Sequence, residues 1–473
     1  MKNSKLILLF SELTTSEMKH FEDFVQSPVF NKSEQVSGLL KILKTFAADF
    51  HINLLTKKRV SEQLFPHKKG IEEKGLSVAM TKLTKLLEQF LAFQKYQKNE
   101  NLQENYLLEA LLERNQDKFV GQHLEKMSKK RAVQKEKSVD FYTDEFVFLQ
   151  QKHRYNLRQT KKKQVFEVPN ILQNIDIFYA LNKLKYACYI VNRKNIYKNE
   201  TALDDIDNLL KNIEKQHFYE NKALEIYFFC FKMLETEDEV YFEKLKNLLE
   251  KKGSILTENE LKNIYALALN FCNKKVRNGE NYYHKMLAIY LMMLEKGFLQ
   301  DGKYTYHKYI KNIVTTALKA EEFELAKEIT IVYKTKVEPK FRKTLFCLNI
   351  GAYHFYRKEF EQAADYFTKI EGVTIDYEIN RRNLLFKLYY EMNNELFAYE
   401  ADNFQHFMRN NKAISEKLKK GHLNFISIAL KLNQENNKIR RNKARLATLI
   451  QKIERVSPIS DKSWLLFQAK KML

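Results

Sequence analysis

Cationic side chains carry the clearest chemical signal in this sequence. Lys438, Arg441, Arg445, Lys452 and Arg455 fall within an arc of about 100° when the segment is wound at 3.6 residues per turn. Ile439, Leu446, Leu449, Ile450 and Ile453 take the other side, and Arg440 and Lys443 widen the positive surface. The pattern predicts one amphipathic helix from Lys438 to Arg455. A basic stripe on a rigid helix tracks nucleic-acid phosphates, lies on anionic lipid or meets an acidic protein. The competing reading is a solvated helix face. From Arg409 to Leu473 there are 16 Lys/Arg against 4 Asp/Glu, which is +12 of a total formal charge of +22. An AT-rich coding bias raises Lys throughout a chain and does not account for that asymmetry.

A second basic segment runs from Lys152 to Lys163. Between Phe146 and Phe166 there are six Lys/Arg and no acid. Arg154, Arg158, Lys161 and Lys162 share a helical face, with Tyr155 beside them. Aromatic and basic residues interleaved in this way suit base stacking along a nucleic-acid strand.

Signatures of catalysis are missing. There is no phosphate loop, dinucleotide-binding glycine fingerprint or G-x-S-x-G elbow, and the chain has only eleven glycines from which to build one. The eleven histidines are dispersed, without H-E-x-x-H or another ligand spacing. Asp204, Asp205 and Asp207 follow Thr201 and read as acids in the first turn of a helix, where the backbone dipole favours them, rather than as a metal site. Cys188, Cys230, Cys272 and Cys347 stand far apart in apolar stretches, as expected of buried, reduced thiols in a cytoplasmic protein. The expectation is a non-enzymatic protein with no catalytic, metal or cofactor-binding residues and no cofactor.

The elements that would position these cations are helices. Glycine and proline (5) are scarce in 473 residues, and 44% of the chain is hydrophobic, enough for a core. Thr14-x-x-Glu17 predicts a capped helix with Met18, Phe21 and Val25 on one face, ended by Ser27-Pro28. A second helix follows from Ser33 with Val36, Leu39, Leu40, Leu43 and Phe46 inward. Leu76, Met80, Leu83, Leu87, Phe90 and Leu91 mark a long third one, and Tyr106, Leu107, Ala110 and Leu111 another. The apolar run after Lys5 is too short for a signal peptide. The longest one, Met286 to Leu294, is nine residues, less than half a membrane span. Basic residues, the β-prone stretch Val165–Val168 and Pro169 fall together near 159–171. The chain is therefore divided into an N-terminal helical region at 1–165, helix hairpins at 170–408 and basic closing helices at 409–473. Trp464, in a short last helix begun by Ser460-Asp461, would plug the end of the array.

One internal pattern gives the hairpins a type. Gly351 precedes Ala363 by twelve residues, and Phe367 follows four later. A small residue on one helix and an alanine on the next allow close approach, and the aromatic fills the space beside them. This resembles the tetratricopeptide repeat, although His354 and Ile370 stand where that repeat has tyrosine and alanine, and no proline closes the unit. Phe323-Glu324-Leu325-Ala326 echoes Phe360-Glu361-Gln362-Ala363 at 37 residues, and Glu395–Ala398 echoes it again at 35, periods that suit helix pairs. The N-terminal stretch resembles bacterial helical proteins without an assigned function. The resemblance implies an all-α, tetratricopeptide-like α-solenoid of antiparallel hairpins whose groove binds a protein or peptide, acidic by charge. The alternative is nucleic-acid or ribonucleoprotein binding through the basic faces. A membrane-surface role suits the tail less well, because the apolar side of Lys438 to Arg455 carries Ile and Leu but neither Trp nor Phe.

Overall fold

The computed structural model describes residues 3–46, 55–67, 72–159, 167–197, 206–215, 221–370, 374–438 and 442–473. The fold is all-α. The described residues form 23 α-helices, and their single sheet is a two-stranded antiparallel ribbon pairing Gln300 with Thr305 and Asp301 with Tyr304. No described helix is long and apolar enough to cross a membrane. The chain divides into two compact units, Met1–Gln134 with Asp140–Ile175, and Lys135–Val139 with Asp176–Leu473.

The first unit contains α1 (Lys5–Ser11), α2 (Thr15–Gln26), α3 (Glu34–Lys44), α4 (Lys57–Leu64), α5 (Glu73–Lys98), α6 (Glu100–Glu113), α7 (Asp117–Val133) and most of α8 (Val139–Arg158). α2 opens with the expected capping box. Thr14 Oγ1 accepts from the Glu17 N–H at 3.2 Å, and Glu17 Oε2 accepts from the Thr14 N–H at 2.9 Å, which satisfies two otherwise orphaned ends. Phe21 and Val25 of α2, Val36, Leu39 and Leu43 of α3, and Leu83, Leu87 and Phe90 of α5 meet in one core.

α6 departs from its expected face. Leu108 and Leu112 are buried against Val120 and Leu124 of α7, whereas Tyr106 and Leu107 are exposed. The run Tyr-Leu-Leu-x-x-Leu-Leu offers two apolar registers one residue apart, and packing on α7 selects the later one.

The second unit takes in most of α9 (Val168–Tyr197), then α10 (Ile206–Lys215), α11 (Lys222–Thr236), α12 (Glu239–Lys252), α13 (Glu258–Arg277), α14 (Tyr283–Glu295), α15 (His307–Lys319), α16 (Phe323–Tyr333), α17 (Arg342–Tyr356), α18 (Phe360–Thr368), α19 (Ile375–Glu391), α20 (Phe397–Asn410), α21 (Glu416–Asn436), α22 (Lys443–Arg455) and α23 (Lys462–Lys471). Val168-Pro169 opens α9, since proline lacks only an N–H that the first turn leaves unpaired. The remainder of the supposed β-prone stretch, except Glu167, lies outside the described residues. So does Thr201–Asp205, while Asp207 stands in the first turn of α10. All four cysteines are reduced and buried.

Five successive helix pairs, α11–α12, α13–α14, α15–α16, α17–α18 and α19–α20, pack partner on partner. A residue in the left-handed region ends the first helix of each: Glu237, Gly279, Glu321, Lys358 and Asn393. Their spacings are 42, 42, 37 and 35 residues. In the last four turns the following N–H reaches back five residues to a carbonyl of the first helix, at 2.9–3.1 Å (Glu280 to Lys275, Glu322 to Ala317, Glu359 to His354, Asn394 to Tyr389). This bond satisfies a terminal carbonyl and reverses the chain. In α17–α18 the ring of Phe367 lies against Gly351. A Cβ at Gly351 would stand 2.5 Å from Phe367 Cε1, inside any tolerable contact. Ala363 and Phe367 are fully buried.

α19 to α23 share a further core, with Phe386, Phe404, Phe425, Leu446, Ile453 and Leu465 among its members. Trp464 closes it, its ring centroid 5.0 Å from that of Tyr390 and its Nε1 donating to Glu391 Oε1 at 3.2 Å.

Candidate anion-binding site

The basic residues singled out in the sequence have different fates. α22 begins at Lys443, not Lys438. The Asn442 side chain accepts from the Arg445 N–H at 3.1 Å and caps the helix there, and α21 has already ended at Asn436. The expectation of one helix from Lys438 is therefore corrected: two asparagine-rich ends interrupt it. Ile439, Arg440 and Arg441 lie outside the described residues. Lys438 and Arg445 both turn toward Glu435, whose oxygen Oε1 lies 2.7 Å from Lys438 Nζ and 3.2 Å from Arg445 Nε. Lys452 and Arg455 are exposed on α22, and Leu446, Leu449 and Ile453 are its buried side. The positive charge of Lys452, close to Lys431, holds the Lys431 pKa below its ordinary value.

In the other segment Arg154 is exposed and reaches Gln151 Oε1 at 3.3 Å. Arg158 is consumed locally: it donates to the Leu112 carbonyl at 2.7 Å and to Asn115 Oδ1 at 3.3 Å, and lies 3.7 Å from Asp117. Tyr155 packs on the Leu108–Leu124 core, close enough to Gly121 that a Cβ there would fall 2.7 Å from its hydroxyl. It is a partly buried residue packed against that core. Lys161 and Lys162 lie outside the described residues.

A further concentration of charge lies elsewhere among the described residues, lining a cavity. A cavity of about 170 Å³ is lined by the first helices of three successive pairs and by Asp461. α15 contributes Lys311, Thr315 and Lys319, four residues apart and so stacked along one face. α17 contributes Asn349, Ala352 and Tyr356; α19 contributes Asn380, Asn383 and Lys387. Asp461 heads α23 in the left-handed conformation, φ 46°. Its Oδ2 meets Lys387 Nζ at 2.7 Å and accepts from Asn383 Nδ2 at 2.6 Å.

Three lysines therefore face one carboxylate, a formal excess of two positive charges. Among the described residues Lys311 and Lys319 have no carboxylate within 4.0 Å. The Asn349 side chain is buried and its Nδ2 has no acceptor, and Asn383 Oδ1 is likewise unpaired. An unpaired buried donor costs ~1–3 kcal/mol.

The electrostatics follow from burial. Desolvation draws the Lys387 pKa down against the pull of Asp461, and Lys319 depresses it further. Burial also lowers Lys311, with Asp376 opposing and Lys308 adding to the effect. For Lys319 burial acts the same way but is outweighed by Tyr356, Asp461 and Tyr283, so its pKa rises. Burial pushes the Tyr356 hydroxyl up to about 12. Burial alone would raise Asp461, yet Lys387 and Lys319, with the hydrogen bonds from Asn383 and Lys387, hold its carboxyl well below the usual range. His422 stands behind this pair, buried, its pKa lowered to about 4 chiefly by desolvation.

Sequence reasoning missed this site because it weighed charge by segment. The available signal was local: Lys311, Thr315 and Lys319 on one face, and Asn380, Asn383 and Lys387 on another, polar residues at helical spacing in the first helix of each pair. Other buried polar groups are absorbed structurally. Glu260 caps its own helix from Thr257 and accepts from the Tyr227 hydroxyl at 3.1 Å. Among the described residues no three His, Cys, Asp or Glu side chains converge to hold a metal. Comparison with protein-family models, with curated proteins and with solved structures finds no match for this chain.

Proposed function

We propose that this chain is a non-enzymatic, cytoplasmic binding scaffold, a tetratricopeptide-like solenoid of antiparallel hairpins whose first helices form a groove for an acidic protein or peptide. One observation carries the reading: Lys311, Lys319, Lys387 and Asn349 converge from three successive first helices on a single cavity, with more positive charge than Asp461 balances. The recurring left-handed turns at 35–42-residue spacing support the repeat. An array of equivalent helices also offers an extended peptide several adjacent contacts. A second reading rests on a different surface. Lys431, Arg445 and Lys452 crowd one another beside α22, and such clusters of like charge suit the phosphates of nucleic acid.

The two readings separate in one titration of the full chain, with a glutamate-rich peptide and with a single-stranded oligonucleotide, each at low and moderate salt. The scaffold reading expects saturable peptide binding that an excess of oligonucleotide does not displace. Oligonucleotide binding alone, falling steeply with salt as counterion release requires, would overturn it.

A further inference from the structure

We infer that the cavity between α15, α17 and α19 is a binding site for a phosphate-monoester dianion, so that the acidic group it takes from a partner is a phosphorylated side chain. The inference rests on the scaffold reading and specifies its ligand. Charge count is the first argument. Lys311, Lys319 and Lys387 exceed Asp461 by two, and a phosphate monoester carries about −1.5 to −2 at neutral pH whereas a carboxylate carries −1. A glutamate side chain would leave one lysine in a desolvated wall without a counter-charge; a dianion would not.

Donor geometry is the second argument. The three lysines line the cavity from two helices, α15 and α19, and Asn349 and Tyr356 of α17 and Thr315 of α15 add polar residues to the lining. Three acceptor oxygens on a tetrahedral centre can each meet a different wall, which the two coplanar oxygens of a carboxylate cannot. Lysine ammonium groups act as point charges without the fixed fork of arginine, so the site suits a phosphate read by charge and donor number. The volume of about 170 Å³ accommodates one such group with its linking atoms and does not accommodate a folded domain. Asp461 pairs with Lys387, leaving Lys311 and Lys319 as the lining cations without a carboxylate within 4.0 Å among the described residues.

Calorimetric titration of the full chain tests this with four probes: a phosphoserine heptapeptide, the same peptide with serine, the same peptide with glutamate, and inorganic phosphate. The phosphoserine peptide is expected to bind at least about tenfold tighter than the glutamate peptide, and the serine peptide not at all. Thr315→Glu, an exposed position at the cavity, tethers a carboxylate there and should weaken phosphopeptide binding tenfold or more. Lys311→Gln should weaken it severalfold, with unchanged circular dichroism showing that both variants fold. Inorganic phosphate that competes fully while the peptide adds no affinity supports the dianion site and overturns the peptide partner. Equal affinity for the glutamate and phosphoserine peptides overturns the dianion site and leaves the acidic-partner reading standing. Binding of none of the four, or phosphopeptide binding untouched by Thr315→Glu, overturns the site itself.

Discussion

Lys387 and Lys438 present the same ion pair in two surroundings. Each ammonium lies 2.7 Å from a carboxylate, Asp461 for one and Glu435 for the other. The Lys387 side chain is 7% exposed and the Lys438 side chain 43%. Water can solvate Lys438 whenever its partner is removed, so loss of the carboxylate leaves no stranded cation, although Glu435 itself is only 2% exposed. Lys387 has less recourse: beyond Asp461 it has the Glu391 carboxylate acting at longer range, the Phe425 ring and the Trp464 ring. Equal distances thus carry unequal consequences, because the cost of losing a partner is set by desolvation and not by separation. The same contrast separates the cavity from the α22 face. The cavity holds fewer cations, with Lys387 paired to Asp461 and Lys319 over the Tyr283 ring, and the α22 face holds more with solvent around them.

The largest expected effect breaks the buried pair. Asp461→Asn leaves Lys387 charged and unpartnered and should cost about 3–5 kcal/mol in urea unfolding, whereas Glu435→Gln should change stability far less. If both variants unfold at the same urea concentration, the distinction between the two regions fails.

Next in size is a pH effect of the residue behind the cavity. His422 titrates at about 4 when folded and near 6.5 when unfolded, so between these values the unfolded chain binds the extra proton. Stability present above pH 6.5 is therefore lost as pH falls toward 4, by up to ~3 kcal/mol for this one group. His422→Phe should flatten that part of the stability profile, measured by thermal melts from pH 7 to pH 4.

The wall carrying Asn349 provides the third test. Gly351→Ala drives a methyl into Phe367 and should cost ~1–3 kcal/mol through overpacking, with a parallel loss of ligand affinity as α17 shifts. The smallest effect belongs to the outward face: Lys443→Ala should stay within about 0.5 kcal/mol of the parent chain in the same urea assay.

Helices were legible wherever one apolar register dominated. Phe21 and Val25, or Leu83, Leu87 and Phe90, sit where their spacing put them. α6 was misread in face because its sequence allows two registers, and only α7 decides between them. The basic helix was drawn too long because cation spacing passes through Asn437 and Asn442 without registering that asparagine ends one helix and caps the next. The close approach of α17 and α18 was visible in Gly351, Ala363 and Phe367, where contact demands particular sizes. The turns between paired helices were invisible, since Glu237, Glu321 and Lys358 adopt a left-handed conformation that their residue types do not announce. The cavity was illegible for a different reason. Lys311, Lys319, Lys387 and Asp461 span 150 residues of sequence, and neither their proximity nor their burial has a local signature. Asp461 read simply as a helix start, which it is, while its carboxylate faces a lysine on α19.

We propose that the cavity, not the C-terminal basic face, receives the anionic partner. The most direct test is a fluorescence-anisotropy titration of a labelled, strongly acidic peptide against three full-length proteins: the parent chain, Thr315→Glu, and the double variant Lys452→Glu, Arg455→Glu. Loss of at least tenfold in affinity for Thr315→Glu, with the α22 double variant within about twofold of the parent, is the predicted result. The reverse order would contradict the account and make α22 the functional surface.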